Sequence, residues 1–255
     1  MFERLQSTCQ LYTNDSCATH VHLSPADGTW GTKELKKICK SILYFEEAFE
    51  VVVPQSRRHS KFCRSNRFNN PIFSRVIGDK REACDLSECF KAIEKCRDIQ
   101  SLAEIMGMRK FMAWNFVNVY YSGWSDDGGT IEFRRPPGVT TSKDCIAWME
   151  LAVYFVHAAR ELRSSSLLSE THFTRDVRGL QDFIESGITR GVPEPRALRR
   201  LLIGRSGRLA PVIDPTSISD FSQEEWEVEH VRSPVKVAEL GFQNEHCLEA
   251  SKIEN

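Results

Sequence analysis

The sequence predicts an α+β fold in which an antiparallel sheet is backed by helices. Three observations carry this. Segments 9–24, 111–121 and 130–135 have the alternation, or the β-branched and aromatic content, of strands. The last two flank a turn, Asp126-Asp127-Gly128-Gly129, and so read as a hairpin. Two helices with apolar periodicity, one opening near Thr32 and one near Thr141, supply faces that can cover such a sheet.

The elements follow in order. In 9–24 the apolar members include Leu11, Val21 and Leu23, and Pro25 to Gly28 reads as a turn. Thr32 is placed to N-cap a helix with the stripe Leu35, Ile38, Ile42, Phe45 and Phe49, which Val51-Val52-Val53-Pro54 ends. Residues 55–78 are basic, rich in Asn and without periodicity, which predicts a long loop. A helical region over about 86–106 closes at Gly107, where a C-cap would sit. The strand 111–121, the turn and the returning strand 130–135 come next, stopped by Pro136-Pro137-Gly138. Thr141 with Asp144 fits a capping box, opening an apolar helix through Ile146, Met149, Val153 and Val156. Ser164-Ser165-Ser166 marks a boundary, with helices expected near 174–186 and 194–204. The expected organisation is a core over 1–165, a helical extension over 166–210 and an acidic, loosely ordered tail over 211–255.

Bulk properties exclude several classes. A chain of 255 residues with 41% hydrophobic and 27% charged residues can bury a core. The formal net charge of -1 gives no global pull toward nucleic acid or anionic membrane. The start, Met1 to Gln10, lacks the basic and apolar regions of a signal peptide, and the apolar run 146–159 is too short to span a bilayer. The 9 cysteines are scattered with no C-x-x-C, which points to reduced thiols in a cytoplasmic protein. The basic run 190–208 fits the solvated face of a helix whose apolar side is Leu198, Leu201 and Leu202; nucleic-acid contact is the weaker reading on charge balance.

Strand alternation groups the residues that can do chemistry. His20, His22 and Ser24 fall on one face with Val21 and Leu23 on the other. Two imidazoles and a hydroxyl can bind a metal or a phosphate, or can be surface histidines on an edge strand. Glu132 and Arg134 share a face opposite Ile131 and Phe133. They read as a cross-strand ion pair, or as a magnesium-binding carboxylate beside a phosphate-binding guanidinium, the pair that phosphoryl transfer from ATP needs. Arg109, Phe111, Ala113 and Asn115 share a face by the same rule, and a buried Asn115 needs a hydrogen-bond partner. The basic stretch 54–63 is either counter-charge for a nucleotide or a solvated loop.

Taken in order, Cys17-Ala18-Thr19-His20-Val21-His22, the loop through Arg58 to Cys63, Arg109 with Asn115, and Thr130-Ile131-Glu132-Phe133-Arg134 resemble the amidoligase family common in fungi. That family is grouped with glutamine synthetase and glutamate–cysteine ligase. Its C-G-T-H-V-H has Ala18 for glycine here, and its R…N-x-Y-C loop has Ser60 and Phe62 for Asn and Tyr. The resemblance covers about residues 10–160, and four motifs in one order are far more specific than any one. Family members usually begin about a hundred residues earlier, with paired glutamates expected to bind magnesium. The expectation is therefore an N-terminally shortened member.

The resemblance implies a glutamine synthetase-like sheet that cradles ATP, with helices on its other face, and an ATP- and Mg²⁺-dependent ligase that forms an amide through an acyl phosphate. Glu132, Arg134, Arg58 and Arg109 would be catalytic. His20, His22, Ser24, Asn115 and Arg134 would hold the nucleotide or substrate, and His20 with Glu132 would hold the metal. The partners would be a small carboxylate and an amine, amino-acid or peptide-like, and a homo-oligomer is left open. A role in fungal secondary metabolism is analogy alone. Two alternatives stay open: a degenerate homologue that binds without turnover, and a metal-dependent hydrolase, since H-x-H on a strand also suits zinc.

Overall fold

The computed structural model describes residues 2–26, 28–58, 60–73, 86–122, 129–189, 191–205 and 207. Three short strands form an antiparallel sheet: β1 (Val21–Leu23), β2 (Trp114–Asn115) and β3 (Ile131–Phe133), in the order β1-β3-β2. The registers set His22 and Asn115 on either side of Glu132, and Val21 and Trp114 on either side of Phe133. Alternation then sends Phe133, Ile131 and Trp114 into the core, all nearly sealed from solvent. The rings of Trp114 and Phe133 stack at 4.3 Å; Phe49 packs edge-on against Trp114 and Phe155 and tilted against Phe133, and Phe155 packs tilted against Trp114. The predicted α+β class is the observed one.

The first strand is shorter than predicted. Residues 2–8 form α1 (Phe2–Thr8), and Asn14 accepts the amide of Ser16 at 3.0 Å while its carbonyl accepts that of Cys17. This turn diverts the chain, so pairing begins only with the bridge Ala18–Pro137 and then β1. The strand expected over 111–121 is cut to two residues for a similar reason. The Asn115 side chain accepts the amide of Val117 at 2.9 Å and starts a helix, α7 (Val117–Ser122). Local side-chain bonding overrides the β-propensity of Val117, Val119 and Tyr120. Of the predicted hairpin turn, Asp126 to Gly129, all but Gly129 lies outside the described residues.

The helical face is built largely as predicted. α2 (Thr32–Tyr44) starts one residue early, with Gly31 as N-cap and the Glu34 carboxylate accepting its amide at 3.2 Å. The stripe Leu35, Ile38, Ile42, Phe45 and Phe49 is buried, but Phe45 interrupts the helix, which resumes as α3 (Glu46–Val52). α4 (Gln55–Arg58) follows. The region 86–106 is two helices, α5 (Leu86–Lys95) and α6 (Ile99–Ile105), the second N-capped by Asp98 and C-capped by Met106; Gly107 follows the cap with φ 98°, the left-handed turn that glycine permits.

α8 (Ser142–Glu161) has the predicted Thr141 cap, whose hydroxyl accepts the Asp144 amide at 3.1 Å. Its buried face differs from the predicted one. Ala147, Trp148, Leu151, Ala152, Phe155, Val156, Ala158 and Ala159 are buried, while Ile146, Met149 and Val153 are 46–47% exposed. The helix is apolar on most sides, so periodicity alone cannot choose a face. Small residues decide it. A Cβ on Gly187, at the end of α9 (Val177–Ser186), would lie 2.5 Å from the Cα of Ala158, so the glycine lets the two backbones meet closely there. α10 (Arg199–Leu202) is seated on α8 by Glu150, whose carboxylate accepts the amides of Arg196, Ala197 and Leu198. The described cysteines, Cys9, Cys17, Cys39, Cys63, Cys89, Cys96 and Cys145, are free thiols. No helix among the described residues is long and apolar enough to cross a membrane. The acidic 211–255 stretch lies outside the described residues.

The basic loop is the largest departure from expectation. Residues 60–73 turn inward, with Arg64, Arg67, Asn66 and Asn70 all buried, as is Arg57 of α4 before them; residues 74–78 lie outside the description. What pulls them in is a pair of acids on α3. Glu46 accepts the amides of Asn66 and Arg67 at 3.0 and 3.2 Å, and Arg67 donates to Glu47 at 3.1 Å. Arg135, just past β3 and 1% exposed, pairs with Glu50 and, at 3.4 Å, with Glu46. Burial pushes the Glu46 carboxyl up, and Arg135 and Arg67 oppose the push only in part. Burial also works against the charge on Arg135, but Glu50 and Glu46 overcome it and hold its pKa above the usual arginine value.

Two stability outcomes follow from these contacts. Leu151→Ala should cost about 2–5 kcal/mol and Ile146→Ser no more than about 0.5 kcal/mol in urea denaturation; a larger loss at Ile146 would reverse the covered face. Arg135→Met strands two buried carboxylates and should cost about 3–5 kcal/mol in the same assay, and a loss under about 1 kcal/mol would count against the pairing.

Candidate active site

The face of the sheet opposite the core carries one polar cluster, and Glu132 is its hub. β3 supplies Glu132 from its centre and Arg134 just beyond its end; β1 supplies His22, with His20 before it; β2 supplies Asn115. One oxygen of Glu132 meets Arg134 Nη1 at 2.7 Å, His20 Nδ1 at 2.8 Å and His22 Nε2 at 3.5 Å. The other accepts Asn115 Nδ2 at 2.7 Å. Burial opposes ionisation of Glu132, but the His20 hydrogen bond, the Arg134 charge and the Asn115 amide together pull its pKa from the ordinary 4.5 to about 2. Glu132 is thus a permanent anion at working pH.

This anion sorts the two histidines. At 2.8 Å from Glu132, His20 Nδ1 carries its hydrogen toward the carboxylate, so the 3.3 Å approach of Arg134 Nη1 to the same nitrogen is a contact and not a hydrogen bond. His20 in its neutral form then keeps a lone pair on Nε2. For His22, Nδ1 lies 3.1 Å from the Thr130 hydroxyl, which itself accepts Asn118 Nδ2 at 3.1 Å. The hydroxyl proton is therefore free to go to Nδ1, which puts the ring hydrogen of His22 on Nε2, facing Glu132.

Of the eight residues singled out from sequence, the structure gathers His20, His22, Asn115, Glu132 and Arg134. The contacts of the cluster do not include the other three. Ser24 is exposed beyond β1. Arg58 donates to the carbonyls of Val51 and Val53 at the end of α3. Arg109 lies over the Phe111 ring at 5.7 Å. Thr130 and Asn118 were missed, although Thr130 shares the alternation of Glu132 and Arg134 and was legible on that ground. The carbonyl of Phe62, which accepts Arg134 Nε at 3.4 Å, was not legible.

The expected ligands suit magnesium poorly. Mg²⁺ wants oxygen donors in an octahedron. The cluster offers one carboxylate, its oxygens already engaged by four nitrogen groups, among them a guanidinium that a nearby cation would repel. Among the described residues, no group of three or more His, Cys, Asp or Glu is placed to hold a metal ion. His157, His172 and the two site histidines are the described imidazoles; His59, His230 and His246 lie outside the description. What the arrangement can do is present a fixed guanidinium and an imidazole to an anionic, phosphoryl-like group.

A family model described as "Putative amidoligase enzyme" matches residues 1–156 of the 255. The match contains every residue of the cluster. No curated protein and no solved structure matches the chain.

The depressed Glu132 pKa has a stability signature. The folded state binds fewer protons than the unfolded state between about 4.5 and about 2, so the Glu132 contribution is complete above that window and is lost as pH falls through it. The stability gap between wild type and Glu132→Gln should be constant near neutrality and shrink across the window. Unfolding free energies measured from neutral to acid pH check this; a gap unchanged down to about pH 2 would mean that folding leaves Glu132 unshifted.

Proposed function

The chain belongs to the amidoligase family, and on that premise we propose that it joins a carboxylate to an amine at the expense of ATP. In the proposed reaction a substrate carboxylate oxygen attacks the γ-phosphorus of ATP, ADP leaves, and an acyl phosphate forms. The amine nitrogen then attacks the acyl carbon, inorganic phosphate leaves, and the nitrogen loses a proton. The observation that supports this reading is the Glu132–Arg134 pair at 2.7 Å on the polar face of β3, flanked by His20 and Asn115.

Arg134 neutralises charge on the transferring phosphoryl group, where a preorganised donor is worth most. Glu132 holds Arg134 and His20 in place, and His22 and Asn115 border the nucleotide or substrate. Arg58 is committed to the α3 carbonyls and takes no direct part; Arg109 remains a candidate assistant from its place over Phe111. Magnesium has no step assigned to it, because the cluster does not fit it. The full engagement of Glu132 favours one second reading, a homologue that binds nucleotide without turnover.

Hydroxylamine tests both, since it traps an acyl phosphate as a hydroxamate. The protein is incubated with Mg-ATP, hydroxylamine and pooled amino acids and dicarboxylates, and ADP and hydroxamate are measured. Wild type should release both in step, and Glu132→Gln or Arg134→Ala should lower the rate on the order of 10²–10³-fold. Release that survives both substitutions would overturn the assignment. Mg-ATP binding by calorimetry without any turnover would select the binding reading.

A further inference from the structure

We propose that Arg57 and Asn66 are positioning residues: they fix β3 and β2 relative to one another from behind, and so set the Asn115–Glu132–Arg134 geometry without touching substrate. Both side chains are buried, at 2% and 0% exposure. Arg57 donates Nη2 to the carbonyl of Arg134 at 2.7 Å and Nε to that of Arg135 at 3.2 Å. Its fork thus grips two successive peptide units at the point where Arg134 leaves the strand. Its charge meets carbonyl dipoles in place of a carboxylate, an expensive use of a buried cation unless that backbone must be held.

Asn66 performs the same task on β2. Its Oδ1 accepts the amide of Trp114 and its Nδ2 donates to the carbonyl of Trp114, both at 2.8 Å. That is the bonding pattern of a neighbouring strand, supplied by one side chain. The backbone of Arg64 extends it, donating to Phe111 and accepting from Ala113 at 2.8 and 2.7 Å. The Cys63 thiol, donating to the Arg57 carbonyl at 3.0 Å, folds the two grips into one turn. β2 is therefore held on both edges, by β3 and by this loop. Asn115, one residue past Trp114, reaches Glu132 at 2.7 Å, a separation with no slack.

The proposal rests on the cluster being the ligase site, but its test does not depend on turnover. Long-range ¹H–¹⁵N spectra of the imidazoles read the tautomers directly. Wild type should show His20 with its hydrogen on Nδ1 and His22 with its hydrogen on Nε2. Arg57→Met and Asn66→Ser should blur both assignments. In the hydroxylamine assay they should lower kcat on the order of 10²-fold while KM for ATP stays within about threefold, because misplacement of about 1 Å is what such a loss reflects. Arg57→Lys, which keeps the charge but cannot span two carbonyls, should recover only part, and it serves if the methionine variant does not fold. Leu180→Ala, on the buried face of α9, should lower the melting temperature and leave the imidazole spectra intact. Unchanged spectra with kcat within about twofold in the Arg57 and Asn66 variants would overturn the proposal, whatever their melting temperatures. A wild type without turnover would sink the ligase reading and leave the spectra to decide this one.

Discussion

Two carboxylates on one buried helix organise this protein. Glu46 and Glu50 of α3 sit beneath the sheet, where an ion without a partner is costly. Arg135 answers them from the chain that leaves β3, and the amides of Asn66 and Arg67 answer Glu46 from the loop. One demand for charge compensation thus joins helix, central strand and loop. The core beneath, where Trp114 and Phe133 stack against Phe49, is held at the same place. Burial gives the helix its hold on the sheet, and ion pairing fixes the register at which it holds.

Above the sheet a third carboxylate does the opposite kind of work. Glu132 faces away from the core, and four nitrogen groups converge on it. Its ionisation is favoured strongly enough that it acts as a fixed negative point, which decides where Arg134 sits and which nitrogen of each histidine carries hydrogen. Chemistry at such a face depends on whether those donors are in place before substrate arrives. The two sides of β3 are coupled because Arg134 and Arg135 are neighbours. One is held by the site and the other by the core.

Alternation along strands was the most dependable guide to the site. It placed Glu132 with Arg134 and opposite Ile131 and Phe133, and His20 with His22 and opposite Val21, because a pleated strand alternates whatever surrounds it. Periodicity served the helix after Thr32 equally well. It failed for α8, where apolar residues occur on most sides and the closeness of Ala158 to Gly187 chooses the face. It failed again at 111–121, where the Asn115 side chain starts a helix amid strand-forming residues.

The basic loop shows the boundary between what the sequence settled and what it left to the tertiary structure. From sequence, a run containing Arg57, Arg58, Arg64 and Arg67 among asparagines has the composition of a solvated loop. Nothing local states that Glu46 and Glu50 are buried nearby, since they lie a turn apart on a helix whose apolar stripe is the stronger signal. The sequence by itself determined the α+β class, the cap at Thr141, the faces of β1 and β3 and five residues of the polar cluster, all consequences of bonding between near neighbours. Tertiary structure alone decided that β3 runs between β1 and β2, which face of α8 is covered, and that Arg57 and Asn66 grip the strands. Each of those depends on a partner far along the chain, whose position is fixed only once the core has closed around it.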